Sequence, residues 1–324
     1  MPRISVIIPT YNDEDDIGRT LDSLRAQTFQ DFEVIVVDDG DDGTADIVRE
    51  SPYRVVERTT TGIASALNRG IDEAEGEYIA RHDADDTSHP ERFEKQTEFL
   101  DEHPDVGVLG TGAYIVEDGE IRARRRVLER VPREAFFEKN HLVHGSVMMR
   151  RDVLDDVDYY DERLDHIEDL DLWVRIAETS TIANIDEPLY DFTVHEESVY
   201  AERFEEVLLL HKFIKERESG IPKEVEQAVY DGDPSAILPH MENDIATLHR
   251  TMAIEHLRYG RLREARKVIS NSITEGMSAI DLPLYILSLT SPATAKRVAD
   301  MYRKILNWRI ARQNKHLSPV SSPR

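Results

Sequence analysis

Two short runs of apolar, mostly β-branched residues stand on either side of a helical pattern near the start of this chain, and few architectures besides a parallel sheet accommodate them. Arg3-Ile-Ser-Val-Ile-Ile-Pro-Thr10 has no polar face and stops at Pro9, as a strand buried on both sides does. Val34-Ile-Val-Val37, within Phe32 to Asp38, repeats the design and ends at Asp38-Asp39-Gly40. Between them a helix opening at Asp13 or Glu14 and running to about Gln27 sets Ile17, Leu21 and Leu24 on one face. The result is a βαβ unit. A strand over Tyr53 to Glu57, the loop Thr59 to Gly62, a helix from Ile63 through Asn68 and Gly70, and a strand from Glu77 to Ala80 extend it to a nucleotide-sized half-sheet. Its carboxyl edge is where ligands of such sheets collect.

The fourth strand ends in Arg81-His82-Asp83-Ala84-Asp85-Asp86. Three carboxylates within four residues repel one another unless a cation neutralises them, and an oxygen-only cluster suits Mg²⁺ or Mn²⁺, which also take phosphate oxygens. A solvated acidic loop is the other reading of the same residues. Asp39, beside Thr10 at the sheet edge, can accept from a base N–H or a ribose hydroxyl, or cap a helix starting at Thr44. Neither GxGxxG nor a Walker A loop is present, so phosphates find no glycine cradle, and that task falls to a metal at Asp83 and Asp85.

Further along, Pro90 leads a helix to about His103, and strands are expected near Val106 to Gly110 and Ala113 to Val116, followed by a polar excursion from Glu117 to Arg133. His144-Gly-Ser-Val-Met-Met-Arg150 reads as a loop entering a strand that returns across the sheet, with His144 itself read as part of the core. Glu168-Asp-Leu-Asp-Leu-Trp173 begins a helix. Dipole and capping effects favour acids there but do not need all three, so one of them is placed as a general base if this helix end faces the metal. Thr181 to Thr193 is expected as an edge strand, with His195 just after it, and a lone His in that position is more often structural than a ligand. Beyond Val199 the pattern is helical: Phe204 to Glu218, Pro222 to Tyr230, Asn243 to Tyr259 and Arg261 to Glu275. The expected organisation is a sheet domain over residues 1–198, a helical extension over 199–281, and a basic amphipathic segment with a disordered end over 282–324.

The absence of cysteine excludes a disulfide scaffold, a thiolate zinc site and a cysteine nucleophile. A net charge of −25, with 31 Arg to 9 Lys, disfavours nucleic-acid binding and fits a protein of a high-salt cytoplasm, where self-repulsion is screened. Residues 258–324 reverse the sign, with 13 basic against 4 acidic side chains. That tail either lies on an anionic membrane surface or packs on the acidic body. No apolar run reaches the roughly 18 residues of a membrane span, so a cytoplasmic, non-spanning protein is expected, peripheral at the membrane if the tail binds it.

Ser5-Val-Ile-Ile-Pro-Thr-Tyr-Asn12, Val37-Asp-Asp-Gly40, Ala66-Leu-Asn-Arg-Gly70, Gly76 through Asp86, Pro90-Glu-Arg-Phe93, His144-Gly-Ser146 and Glu168 through Trp173 follow one another over residues 4 to about 198. In that order they resemble the inverting family 2 glycosyltransferases of GT-A fold. The resemblance implies an α/β nucleotide-diphospho-sugar transferase fold, a mostly parallel sheet flanked by helices, with a C-terminal helical extension. It implies that Thr10 and Asp39 hold the nucleoside of a UDP- or GDP-sugar, with Asn68 also on the donor side. Asp83-Ala84-Asp85 matches the DXD motif, Asp83 and Asp85 being ligands of Mg²⁺ or Mn²⁺ and Asp85 the more direct one. Asp169 matches the general base, and His195 sits where many members have a His near metal or diphosphate. The implied acceptor is a hydroxyl of a lipid-linked or cell-surface glycan. A sugar-1-phosphate nucleotidyltransferase would want a glycine-rich basic loop after the first strand, whereas Pro9 to Asp16 is acidic. A non-catalytic nucleotide-sugar or glycan-binding protein would have no use for the base.

Overall fold

The computed structural model describes residues 1–57, 62–194, 199–241, 245–276 and 281–301. It divides into two compact units, Met1–Ser198 and Val199–Arg324. In the first, β1 (Ile4–Thr10) is joined by α1 (Ile17–Arg25) to β2 (Phe32–Asp38), which lies parallel to it with Thr10 opposite Asp38. α2 (Thr44–Arg49), β3 (Arg54–Glu57), α3 (Ile63–Glu73) and β4 (Tyr78–Arg81) continue the alternation, β3 joining β2 and β4 joining β1, all in parallel. α3 lies close against β1 because residue 70 is glycine. A Cβ there would stand 2.4 Å from Cγ2 of Ile7.

β5 (Thr87–Ser88), α4 (Arg92–Glu102), β6 (Val106–Glu117), β7 (Glu120–Arg125), β8 (Arg130–Val131), α5 (Arg133–Phe136), β9 (Met148–Arg150), α6 (Arg151–Asp156), α7 (Glu168–Ile176) and β10 (Thr181–Thr193) complete the unit. The strands form one mixed sheet in the order β3-β2-β1-β4-β9-β6-β10-β5, with β7 on β6 and β8 on β10. β9 runs antiparallel to both β4 and β6, so the chain returns across the sheet directly after the His144–Ser146 turn. Val6, Ile8, Val34 and Val36 pack with Leu24, Phe93 and Leu100 in the core.

The stretches expected as separate strands near residues 106–110 and 113–116 are one strand, β6, and the polar excursion contains β7 and β8. β7 exposes nearly every side chain, so no apolar alternation marks it. β10 is less of an edge than its position suggests, since β5 and β8 pair with four of its residues. Its pairing with β6 shifts register around Pro188, which has no N–H to donate.

The second unit is helical. α8 (Val199–Ser219) is kinked at Arg203, and α9 (Lys223–Tyr230), α10 (Ile245–Arg258), α11 (Leu262–Gly276) and α12 (Asp281–Ser288) follow. α10 and α11 turn about Gly260, whose φ of 70° suits glycine, and the Arg261 N–H closes the turn on the His256 carbonyl at 2.8 Å. No helix among the described residues is long and apolar enough to cross a membrane. Of the basic segment expected over 282–324, residues 302–324 lie outside the described residues.

Candidate active site

The parallel pairing of β1, β2 and β4 brings three loops to one sheet edge. After β4, Asp83 and Asp85 are half-buried, and Ala84 and Asp86 alternate with them into the protein. Asp86 is structural: Oδ1 accepts the Thr193 N–H at 2.6 Å, and Oδ2 is buried without a partner. Burial, then the charges of Asp83 and Asp85, push its carboxyl well above the usual range. The loop is shaped further by Thr20, whose hydroxyl lies 2.6 Å from the Ala84 carbonyl, and by Arg19, which donates to the Asp85 carbonyl at 2.7 Å.

Arg81 is buried and donates to Oδ2 of Asp83. Burial opposes its charge, but Asp83, with Tyr190 and Tyr160 adding to it, more than offsets this and holds the guanidinium protonated. On the β1 side, burial first and the charge of Asp85 after it lift the Asp13 carboxyl to about 6. Asp13, Asp83, Asp85 and Asp86 thus converge on one edge, an arrangement a divalent cation relieves. Among the described residues no three His, Asp or Glu side chains form a closed metal cage. Two half-buried carboxylates fit Mg²⁺ or Mn²⁺ when phosphate oxygens and water supply the other ligands.

Thr10 donates to Oδ1 of Asp38 at 2.8 Å, so Asp38 rather than Asp39 is its side-chain partner. Asp39 is tied by its N–H to the Thr10 carbonyl at 3.1 Å. The helix-capping acid is Asp42, which accepts the Thr44 N–H at 2.9 Å. Asn68 clasps the loop of residues 160–162, before α7: it donates to the Tyr160 carbonyl at 2.9 Å and accepts the Tyr160 N–H at 3.0 Å. His195 lies outside the described residues.

The second wall is the start of α7. Asp171 turns away and pairs with Arg175 at 2.7 Å, which in turn holds the Tyr159 carbonyl. Glu168 and Asp169 remain, 3.8 and 4.0 Å from Nδ1 of His144. His144 is therefore beside the acid pair rather than in a core strand, and its Nε2 meets the Tyr160 hydroxyl at 2.9 Å. Burial, with Arg81 adding to it, keeps the imidazole neutral. Asp169 accepts from the Leu170 N–H at 2.6 Å and from Asn140, while Oε2 of Glu168 is buried without a partner. Burial raises both carboxyls, Glu168 to about 8 with the Asp169 charge contributing. At neutral pH Glu168 holds a proton, while the Leu170 and Asn140 hydrogen bonds and the charges of Arg81 and Arg125 favour the ionised form of Asp169 against burial.

This asymmetry has a consequence for stability. The folded chain keeps the Glu168 proton up to about pH 8, whereas an unfolded Glu loses it near 4.5, so stability present below pH 4.5 drains away as pH rises to 8. Glu168→Gln removes the titration. The variant is expected to melt near the wild-type temperature at pH 5 and above it at pH 8.5, where its unfolding free energy is larger by on the order of a few kcal/mol. Equal pH slopes for the two proteins would show that Glu168 is ionised in the fold.

Gly145 joins the walls. A Cβ at this position would lie 2.2 Å from the Tyr190 hydroxyl and 2.6 Å from Oδ2 of Asp83. Sequence reasoning missed Tyr190, which accepts the Asp83 N–H at 3.0 Å, and Arg92, whose buried guanidinium sits 5.1 Å from the Tyr190 ring centroid. Arg92 also donates to the carbonyls of Arg81 and Val147 and to Ser88, which meets Nε2 of His82 at 2.9 Å. Nδ1 of His82 faces the Asp83 carbonyl at 2.7 Å, so the proton sits on Nδ1 and Nε2 accepts. The Pro90 to Phe93 motif contained Arg92, but nothing in its spacing showed that it fastens β4 to the entry of β9.

A glycosyl transferase family 2 model matches residues 5–158. The chain is 34% identical over 201 residues to the putative glycosyltransferase EpsE of Bacillus subtilis, covering 58% of this chain and 72% of that protein. It is 33% identical over 204 residues to the amylovoran biosynthesis glycosyltransferase AmsE of Erwinia amylovora, with 57% and 74% covered. Among solved structures it is similar in fold to S. aureus TarS in complex with UDP, at TM-score 0.55 and 22% identity over 93% of this chain and 91% of that one. It is equally similar to the mannosyltransferase PcManGT from Pyrobaculum calidifontis in complex with GDP-Man and Mn²⁺, at TM-score 0.55 and 20% identity, with 95% and 87% covered.

Proposed function

The chain belongs to glycosyl transferase family 2 and is a glycosyltransferase; from that premise we propose that it moves a sugar, with inversion, from a nucleoside-diphosphate sugar to a hydroxyl of a lipid-linked or cell-surface glycan. The observation that carries the reading is the pair of unlike walls, a carboxylate loop at Asp83 and Asp85 and, at the start of α7, Asp169 held by the Leu170 N–H and Asn140 beside Glu168 and His144. A nucleotide-sugar donor is supported by neighbours solved with UDP, UDP-GlcNAc or GDP-Man. A glycan acceptor is supported by the similarity to the amylovoran biosynthesis enzyme.

In this reading Asp83 and Asp85 hold Mg²⁺ or Mn²⁺, which when bound supplies positive charge for a departing diphosphate. Arg81 orients Asp83 from behind, and the Tyr190 hydroxyl fixes its backbone. Asp169 takes the proton of the acceptor hydroxyl on the face opposite the leaving group, which dictates inversion. The N–H groups of Leu170 and Asn140 favour the ionised form of Asp169, while burial raises its basicity. Asp39 and Thr10 lie at the sheet edge on the nucleoside side. Asn68 acts there only through the 160–162 loop it clasps. We assign residues 1–198 as the transferase domain, followed by a helical extension to about 281 and the basic segment over 282–324.

The test is release of nucleoside diphosphate from a panel of nucleotide-sugars in high KCl, with Mn²⁺ or Mg²⁺ or with EDTA. Wild type is expected to hydrolyse one donor slowly in metal only, and Asp85→Ala to lose at least about a hundredfold. Metal-dependent donor binding with no release, even when membrane extract supplies acceptors, would leave a binding protein instead.

A further inference from the structure

Of the nine lysines in the chain, Lys95 and Lys139 alone fall within residues 1–198, and the fold treats them differently. Lys95 sits between two acids, Glu91 at 2.7 Å and Glu187 at 2.6 Å. Lys139 is exposed and has no carboxylate within ion-pair distance among the described residues. It stands close enough to Arg125 for the two cations to act on each other. Partial burial first and Arg125 next push its ammonium down, with Glu138 as a weaker opposing charge.

Arg125 has no ion pair among the described residues either. Its guanidinium donates to the carbonyls of Leu142 at 2.9 Å and Asn140 at 3.3 Å, and only the more distant charge of Asp169 favours it. His141, buried against Phe136, is lowered to about 4 by burial and then by Lys139 and Arg125. In a chain of net charge −25, where neighbouring arginines pair directly with acids, these two cations have no ion pair among the described residues, Asp169 and Glu138 acting on them only beyond ion-pair distance. Such a pair is costly unless something anionic completes it.

The cluster's place decides what that anion belongs to. Asn140, between Lys139 and His141, donates to Oδ2 of Asp169, so the same short segment carries the cations and orients the base. Donor phosphates are assigned to the Asp83–Asp85 loop. The acceptor hydroxyl must come to Asp169. Resting on the proposed transferase reading, we propose that Arg125 and Lys139 form an oxyanion subsite, and that the acceptor carries a phosphate or carboxylate near the hydroxyl that receives the sugar. A lipid phosphate headgroup and an acidic sugar offer the same chemistry to this site.

Inorganic phosphate, titrated calorimetrically in EDTA into the full chain, tests the subsite without an acceptor. Lys139→Gln, a surface change, is expected to weaken phosphate binding about tenfold, and Lys139→Arg to keep it near wild type, as loss and retention of a charge-assisted contact would do. In transfer assays the glutamine variant should lose about tenfold in kcat/KM with anionic acceptors and little with neutral ones. A short-chain prenyl-phosphate glycolipid and a uronic-acid oligosaccharide, each beside a neutral analogue, show which source is used. Equal phosphate affinity in wild type and Lys139→Gln, or equal losses on anionic and neutral acceptors, would overturn the proposal. Phosphate binding as expected, with no nucleotide-sugar consumed by wild type, would sink the transferase reading and leave the subsite standing.

Discussion

Asp169→Asn is expected to cut turnover by about two or more orders of magnitude while leaving nucleotide-sugar binding nearly intact. The amide is close to the carboxylate in size and can still accept the Leu170 N–H, so the start of α7 should survive, although the Asn140 amide loses its acceptor. What goes is the capacity to take a proton from the acceptor hydroxyl. Glu168 is a poor stand-in at neutral pH, because burial still favours its protonated form, although losing the Asp169 charge brings its carboxyl down from about 8. Residual turnover should therefore rise with pH on the approach to 8, with a steeper profile than wild type. Donor affinity by calorimetry and product formation under saturating donor separate the roles. A large loss of donor affinity with turnover per bound donor unchanged would place Asp169 in donor binding instead.

The βαβ start and the acidic loop after β4 were legible because both are local. A buried parallel strand writes its apolar run into consecutive residues, and a loop acid cluster shows itself within four. Asp39 does lie beside Thr10, bonded through its N–H, but register, which sequence does not show, gives the Thr10 hydroxyl to Asp38. Near α7 the first-turn acids could be counted but not sorted. Helix periodicity turns Asp171 toward Arg175, and burial then distinguishes Glu168 from Asp169, which depends on Asn140, His144 and Arg81 from elsewhere in the chain. Tyr190 and Arg92 were hidden for the same reason. Each meets the β4 loop through pairing of distant strands or through a buried side chain whose partners are backbone carbonyls.

Gly145→Ala is expected to lower kcat/KM by about a hundredfold, because one methyl has no space and its neighbours cannot yield cheaply. The backbone at 145 needs no left-handed φ, so the constraint is steric alone. The new Cβ would sit 2.2 Å from the Tyr190 hydroxyl and 2.6 Å from Oδ2 of Asp83. Both atoms are pinned. Tyr190 is buried, with Arg92 over its ring and the Asp83 N–H on its oxygen, and Asp83 is held by the buried guanidinium of Arg81. Relief comes by moving the His144–Ser146 turn or the Asp83 carboxylate, at about 1–3 kcal/mol in stability. Either movement pulls the two walls apart. Unlike Asp169→Asn, this variant should bind the nucleotide-sugar less well in Mn²⁺, since the loop assigned to the metal is displaced. Tyr190→Phe removes the closest clash, so the double variant should regain part of the lost affinity, a coupling that independent sites would not show. Wild-type donor affinity in Gly145→Ala would mean that the turn yields without moving Asp83, and that the walls are less tightly joined than their contacts imply.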